Sequence, residues 1–283
     1  MSGKYKMLGV VVVYDPDMDV IENIKGYAPY IDKLIIWDNS PLELNLHNVI
    51  MEQLHSIEDK ILWQGTGKNR FIAPAINFAW NYAKENGYDY ILTMDQDSHW
   101  HDFAKYRRLI EEDTGHNQPC VYTPYIYGCD KWTIKDKKQK RQIFINSGTV
   151  YPVDILTAID GVDEMFPLDA LDHDTSIRVR EAGYEIICLT ECVLQHTMGN
   201  PTTARLLPIK ANNYSAKRTY EITCSHVLNL RKHKKWLPFS YKAKIVKDLI
   251  IMRLLCILLL ENNKIDKVKM LIKGLKSGMT TKI

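Results

Sequence analysis

Apolar residues along the chain come in short runs, and each early run stops abruptly on polar ones. Met7 to Tyr14 is continuous, rich in Val, and closes on Asp15-Pro16-Asp17. A strand buried on both faces, followed by a turn, reads this way. Residues 18–30 then carry Val20, Ile21, Ile24 and Tyr27 at helical spacing. Leu34 to Trp37 is a second short strand, closing on Asp38-Asn39-Ser40-Pro41. A helix over about 46–57, a strand at 60–64, the glycine loop Gly65 to Arg70 and a helix over 72–86 follow. The next apolar run, Tyr90 to Met94, ends on Asp95-Gln96-Asp97-Ser98. Alternating strands and helices predict an α/β fold with a mostly parallel sheet covered by helices. Ligands of such sheets bind outside the carboxyl ends of the strands. Asp15, Asp38, Asp95 and Asp97 are the acids expected there.

Asp95 and Asp97 are two residues apart, so they share a face of an extended segment. Adjacent carboxylates repel unless a cation lies between them. Oxygen ligands of this type suit Mg²⁺ or Mn²⁺, usually with a bridging phosphate. A polar strand end or an Asx turn would look the same in isolation; three strands ending on acids point instead to a shared site. The glycine loop fits neither the dinucleotide fingerprint nor the P-loop pattern.

The second half is less regular. Residues 100–113 read as a helix, and Asp130 to Gln142 as a basic insertion, either a solvated loop or a flap over an anionic substrate. Ile143 to Ile145 reads as a strand leading into Asn146-Ser147-Gly148, with a helix over about 153–159 beyond it. Asp169, Asp172 and Asp174 precede a helix expected from Thr175 to Ala182, which Gly183 would stop. A strand over Glu185 to Leu189 and an extended piece from Val193 to Gly199 carry the chain past His196. Helices are expected over 212–230, with Tyr214, Lys217, Arg218 and Tyr220 close together, and over 240–260. The apolar run Leu249 to Leu260, interrupted by Arg253, is too short to span a bilayer.

Charge separates the two regions. From Arg231 onward there are 14 Lys and Arg against 3 Asp and Glu, a net +11; the remaining 23 basic and 31 acidic residues give the first 230 a net −8. A basic tail calls for an anionic partner. A membrane surface is one, with the helices packing on the body as the alternative; nucleic acid is not expected. The 283 residues suffice for one large or two modest domains, and 46% hydrophobic content excludes a disordered chain. The six cysteines show no C-x-x-C pairing, which argues against structural zinc and for ordinary buried thiols. No signal-peptide pattern opens the sequence, so a cytoplasmic location is expected, with peripheral attachment to the inner membrane face as an option.

Taken together, the pieces resemble family 2 glycosyltransferases of the GT-A fold, within them the bacterial rhamnosyltransferase-like group. The resemblance is carried by Val10 to Pro16, Ile35 to Ser40, Asn69 to Asn77, Asp95-Gln96-Asp97-Ser98, Asn146-Ser147-Gly148, Asp169 to Asp174 with Arg178, His196 with Gly199, and Lys273 to Gly278. It implies a GT-A catalytic domain over 1–205, with a donor half over about 1–98 and an acceptor half over about 99–205, and a helical extension over 206–283. It also implies an inverting, metal-dependent transferase. The donor would be a nucleotide-diphosphate sugar, dTDP-rhamnose first and a UDP-sugar second. The acceptor would be a polysaccharide or lipid-linked glycan.

The same resemblance implies residue roles. Asp97, His196 and Asp95 would hold Mn²⁺ or Mg²⁺. Val13, Tyr14, Asp38, Asn69 and Asp95 would meet the donor nucleotide. Asp172 falls where the family's catalytic acid falls and would be the base that deprotonates the acceptor, with Asp169 and Asp174 as alternatives. Asn146, Ser147, Gly148, Lys217 and Arg218 would meet acceptor or diphosphate. Departures surround the donor pocket: Val13 and Asp15 replace Thr and Asn, Phe71 replaces a Gly, and Asp172-His173-Asp174 replaces D-x-E. Two other classes remain open on the sequence, a nucleotidyltransferase and a non-catalytic sugar-nucleotide-binding module that docks on membranes.

Overall fold

The computed structural model describes residues 5–114, 118–130, 133–196, 202–203 and 210–283. These form two compact units, Met1–Thr197 and Met198–Ile283. The expected domain boundary near 205, and Gly199, lie outside the described residues.

The first unit is built in order from β1 (Met7–Val13), α1 (Asp19–Lys25), β2 (Lys33–Asp38), α2 (Leu46–Gln53), β3 (Ile61–Gly65), α3 (Ala73–Asn86) and β4 (Tyr90–Asp95). It continues with β5 (Ser98–Trp100), α4 (Phe103–Thr114), β6 (Cys120–Tyr127), β7 (Lys138–Lys140), β8 (Val150–Pro152), α5 (Val153–Ala158), α6 (Leu171–Glu181) and β9 (Glu185–His196). One mixed sheet runs in the order β3-β2-β1-β4-β8-β6-β9-β5, with β7 also paired to β9. The four strands β3, β2, β1 and β4 are parallel. Their apolar runs fill the interior: Leu8, Val13, Leu34, Ile35, Ile36, Ile91 and Leu92 are wholly inaccessible to solvent. Each such side chain contributes roughly 1.5–3 kcal/mol on leaving water. Register then aligns the strand ends, pairing Val13 with Asp38, Asp38 with Gly65 and Val12 with Asp95. The acids that end separate runs in the sequence therefore meet at one edge.

Several elements differ from expectation. Residues 143–145 are not a strand. Their backbone is satisfied by side chains: Phe144 N–H donates to Ser176 Oγ, and Thr149 Oγ1 donates to the Ile145 carbonyl. The strand comes later, as β8. The helix expected from Thr175 begins at Leu171, so Asp172 and Asp174 lie in its first turn rather than before it. The two short pieces at 185–189 and 193–199 are joined through His196 in the single strand β9; beyond it the chain leaves the described residues. The described part of the basic insertion is fastened along β9 and is not a free flap. β7 pairs with Ile187 to Leu189, and the Lys138–Asp113 and Lys140–Glu185 ion pairs hold it down.

The second unit holds a short hairpin of β10 (Thr202–Thr203) and β11 (Lys210–Ala211), then α7 (Ala216–Lys232), α8 (Phe239–Val246), a π-helical segment (Lys247–Met252), α9 (Arg253–Leu260) and α10 (Lys264–Thr280). Ser215 caps α7, its Oγ accepting from Arg218 N–H. Gly274 and Gly278 bring α10 against the α7 backbone: a Cβ on Gly278 would lie 2.7 Å from the Cys224 carbonyl oxygen, and one on Gly274 2.8 Å from that of Tyr220. Arg253 and Lys267 turn inward, both pairing with the buried Glu261. They therefore do not contribute to a basic surface. No helix among the described residues is long and apolar enough to cross a membrane.

Candidate active site

The site is assembled at the carboxyl edge of β1, β2 and β4 and at the end of β9. After Asp95 the chain makes a two-residue turn and enters β5, which pairs antiparallel with β9 so that Ser98 faces His196. That pairing brings Asp95, Asp97 and His196 together, with one potential ligand atom from each lying within 4.8 Å of the others. His196 Nδ1 is 3.3 Å from Asp97 Oδ1 and 2.9 Å from Ser98 Oγ. Ser147 Oγ donates to Ser98 Oγ at 2.6 Å and accepts from Asp95 N–H at 3.1 Å. Buried hydroxyls thus hold both the imidazole and the end of β4.

Two carboxylates and an imidazole are a donor set for a hard divalent ion. The charges agree. Burial pushes the Asp95 carboxyl up to about 6; His196 opposes this and the neighbouring Asp97 adds to it. For His196, burial favours the neutral ring, but the Asp97 hydrogen bond and the charges of Asp95, Asp97 and Asp172 outweigh it and raise the pKa. Such a cluster favours a cation. Among the described residues, this is the group of three acidic, His or Cys side chains positioned to share an ion.

Asp172 belongs to the same cluster. Its carboxyl is pushed up to about 7, by burial first and then by the Asp95 and Asp169 charges, against the opposing hydrogen bonds from Asn146. Asn146 Nδ2 donates to Asp172 Oδ1, and Tyr151 OH donates to Asn146 Oδ1, so the amide is locked from behind. The 146–148 turn is bolted to β4: Gly148 N–H donates to the Thr93 carbonyl and Thr93 N–H to that of Thr149. Gly148 has φ +77, and a Cβ there would meet Leu194, Pro124 and Trp100 at 2.8–3.1 Å. Only glycine fits this turn.

The other acids before Gly183 separate from Asp172. Asp174 is fully buried and lies 3.7 Å from Arg178, whose guanidinium also donates to the Gly161 and Ile159 carbonyls. It points into the packing of α6. Asp169 acts on Asp172 through its charge.

On the donor side, Asp38 Oδ1 accepts from Ser40 N–H at 2.8 Å. Asn69 Oδ1 accepts from Phe71 N–H, and the buried Asn39 accepts from Arg70 N–H and donates to the Phe71 carbonyl. Phe71 sits at φ +62, in the left-handed region. The position thus keeps a glycine-like backbone although its side chain is Phe, with Asn39 and Asn69 holding it there. Val13 is buried, and both backbone groups of Tyr14 are taken by the Gln96 amide, leaving the half-exposed Tyr14 ring at the edge. Gln96, Ser98 and Asn39 had no assigned role in the sequence; their place between acids and strand ends was the available signal. Lys217 and Arg218 lie on α7 in the second unit, where Lys217 is 3.8 Å from Glu221.

No protein-family model matches the chain, and no curated protein matches its sequence. Solved structures do match its architecture. The 1–349 portion of S. aureus TarS is similar over 95% of this chain and 81% of its own, at TM-score 0.55 and 14% identity. GalNAc-T7, solved with UDP, GalNAc and Mn²⁺, is similar over 87% of this chain and 54% of its own, at TM-score 0.59 and 10% identity. The mannosyltransferase PcManGT of Pyrobaculum calidifontis, solved with GDP-Man and Mn²⁺, is similar over 99% of this chain and 77% of its own, at TM-score 0.57 and 11% identity. The curled mixed sheet, its flanking helices and these likenesses together give the chain the GT-A glycosyltransferase fold.

Proposed function

We propose that the protein transfers a sugar from a nucleotide-diphosphate donor to a hydroxyl acceptor, with a divalent ion and inversion at the anomeric carbon. The observation that carries this reading is the convergence of Asp95, Asp97 and His196 with Asp172 at the carboxyl edge of a GT-A sheet. The neighbours solved with UDP-GlcNAc, or with Mn²⁺ beside UDP or GDP-Man, support it.

Asp95, Asp97 and His196 would hold the ion, Mn²⁺ or Mg²⁺. Once bound, it supplies positive charge to the departing diphosphate. Asp38, Asn69, Asp95 and the Val13–Tyr14 edge meet the nucleotide. dTDP-rhamnose is the first donor proposed and a UDP-sugar the second. Asp172 takes the proton from the acceptor hydroxyl as the new glycosidic bond forms and the bond to the diphosphate breaks. A carboxylate held in place beside the reacting hydroxyl suits that task. Asn146 orients it, and one general base is what a single displacement requires. Asn146, Ser147 and Gly148 border the acceptor, proposed as a polysaccharide or lipid-linked glycan. The proposed location is cytoplasmic.

Thermal unfolding with a panel of dTDP-, UDP- and GDP-sugars tests the reading, because a ligand that binds only the folded state must stabilise it. At least one sugar nucleotide should raise the melting temperature in Mn²⁺ and lose most of that effect in EDTA. Stabilisation by nucleoside triphosphates alone would favour nucleotidyl transfer instead.

A further inference from the structure

The second unit exposes apolar side chains in two ordered rows. Along α8, the π segment and α9, the exposed residues include an apolar row of Phe239, Ala243, Val246, Ile251, Leu255 and Leu258. Their successive steps are four, three, five, four and three residues. The five-residue step falls on the π-helical segment Lys247–Met252. In an unbroken α-helix that step would rotate the row by about 140° out of line. The wider i→i+5 turn removes most of that rotation, so the row continues along one side. Phe239 is 84% exposed, Ile251 54%, and Leu259 beside the row 53%.

The second row runs along α10. Ile265, Ile272 and Met279 recur every seven residues and all face solvent, with Lys269 and Lys276 interleaved between them. The opposite side of α10 carries Leu271, Gly274 and Gly278 and is already buried. The outward row therefore is not needed to build the unit. Lys244, Lys247, Lys264 and Lys273 are also exposed.

We propose that these two rows form a docking surface for an anionic phospholipid bilayer, the helices lying in the interface plane. Charge complementarity selects this occupant: with Arg253 and Lys267 paired inward, the exposed Lys244, Lys247, Lys264, Lys269, Lys273 and Lys276 still outnumber the exposed Asp248 and Asp266 on these helices. Apolar side chains inserted at headgroup depth, with lysines placed among them, bind such surfaces by buried area plus electrostatic attraction. A second copy of the same face would bring like charges together. Nucleic acid would leave the apolar rows unburied. The surface goes beyond the proposed sugar transfer and does not depend on it.

Flotation of the full chain with vesicles tests the proposal. The vesicles are phosphatidylcholine alone, or phosphatidylcholine with roughly a third phosphatidylglycerol. The chain should float with the anionic vesicles, weakly with the neutral ones, and less as salt rises. Ile251→Glu combined with Leu258→Glu should lower the partition coefficient at least about tenfold. Phe239→Ser, at a side chain in solvent, should lower it by about threefold or more with the melting temperature unchanged. Lys269→Glu with Lys276→Glu should flatten the salt dependence. The proposal is overturned if the chain stays with neither vesicle, or if folded Phe239→Ser and the double-Glu variant float like the original. It is also overturned if those variants only disperse a concentration-dependent dimer without changing flotation. Donor-induced thermal shifts of the same variants should be unchanged, so failure of lipid binding and failure of the transferase reading are read separately.

Discussion

Replacing Asp172 by Asn separates the cost of burying this carboxylate from its use. In the folded protein burial, with the Asp95 charge adding to it, raises the group from 3.8 to about 7. The folded state thus holds the proton more tightly than the unfolded chain. The contribution of this group is fully present below about pH 4 and is lost as pH rises through about 7. A shift of about 3 units corresponds to at most ~4 kcal/mol. Water reaching the partly buried group reduces this to roughly 1–3 kcal/mol. Asn keeps an oxygen for the Asn146 Nδ2 donor and carries no charge to desolvate. Without metal at pH 8, Asp172→Asn should therefore unfold higher by roughly 3–10 °C, and near pH 4 the difference should vanish. Tryptophan fluorescence follows this transition, since five of the six Trp lie before residue 198. Sugar transfer by the same variant should fall by about 10²–10⁴. A variant less stable at pH 8, equally stabilised at pH 4 and pH 8, or retaining more than about a tenth of the transfer rate would refute this assignment of charge and role.

Gly148→Ala should lower stability by about 2–4 kcal/mol, because its Cβ meets Leu194, Pro124 and Trp100 and the backbone is left-handed. It should also slow transfer by displacing Asn146 from Asp172; urea unfolding and steady-state rates check both. Ser98→Ala should cost only about 1 kcal/mol of stability, but weaken Mn²⁺ binding roughly tenfold by releasing His196 Nδ1, measured by calorimetry.

The parallel half of the fold was readable because its strands are buried on both faces and so carry unbroken apolar runs. The acids at their ends followed from those runs. The elements that the local pattern does not reveal depend on distant pairing. β5 is three residues, Ser98-His99-Trp100, and exists through its bonds to β9. β6 contains Pro124, which removes a ladder donor and masks the strand pattern, and the sheet accommodates it at a shift of register between Pro124 and Tyr125. The start of α6 was hidden because Leu171 to Asp174 are mostly polar and Ala170, at φ +58, offers no side-chain cap. Asp172 was legible as a position, but its tuning was not. That depends on Asn146 and Tyr151, which a different part of the chain supplies. In the tail, a count of charges could not distinguish Lys267, buried against Glu261, from the exposed lysines around it.

The most direct test of the central claim is Mn²⁺-dependent release of nucleoside diphosphate from a panel of dTDP-, UDP- and GDP-sugars, comparing the protein with Asp97→Ala. Release from at least one donor, lost in EDTA and in Asp97→Ala while that variant keeps its melting temperature, is the predicted result. Release from no donor at any metal concentration, or release that survives Asp97→Ala undiminished, would contradict the account.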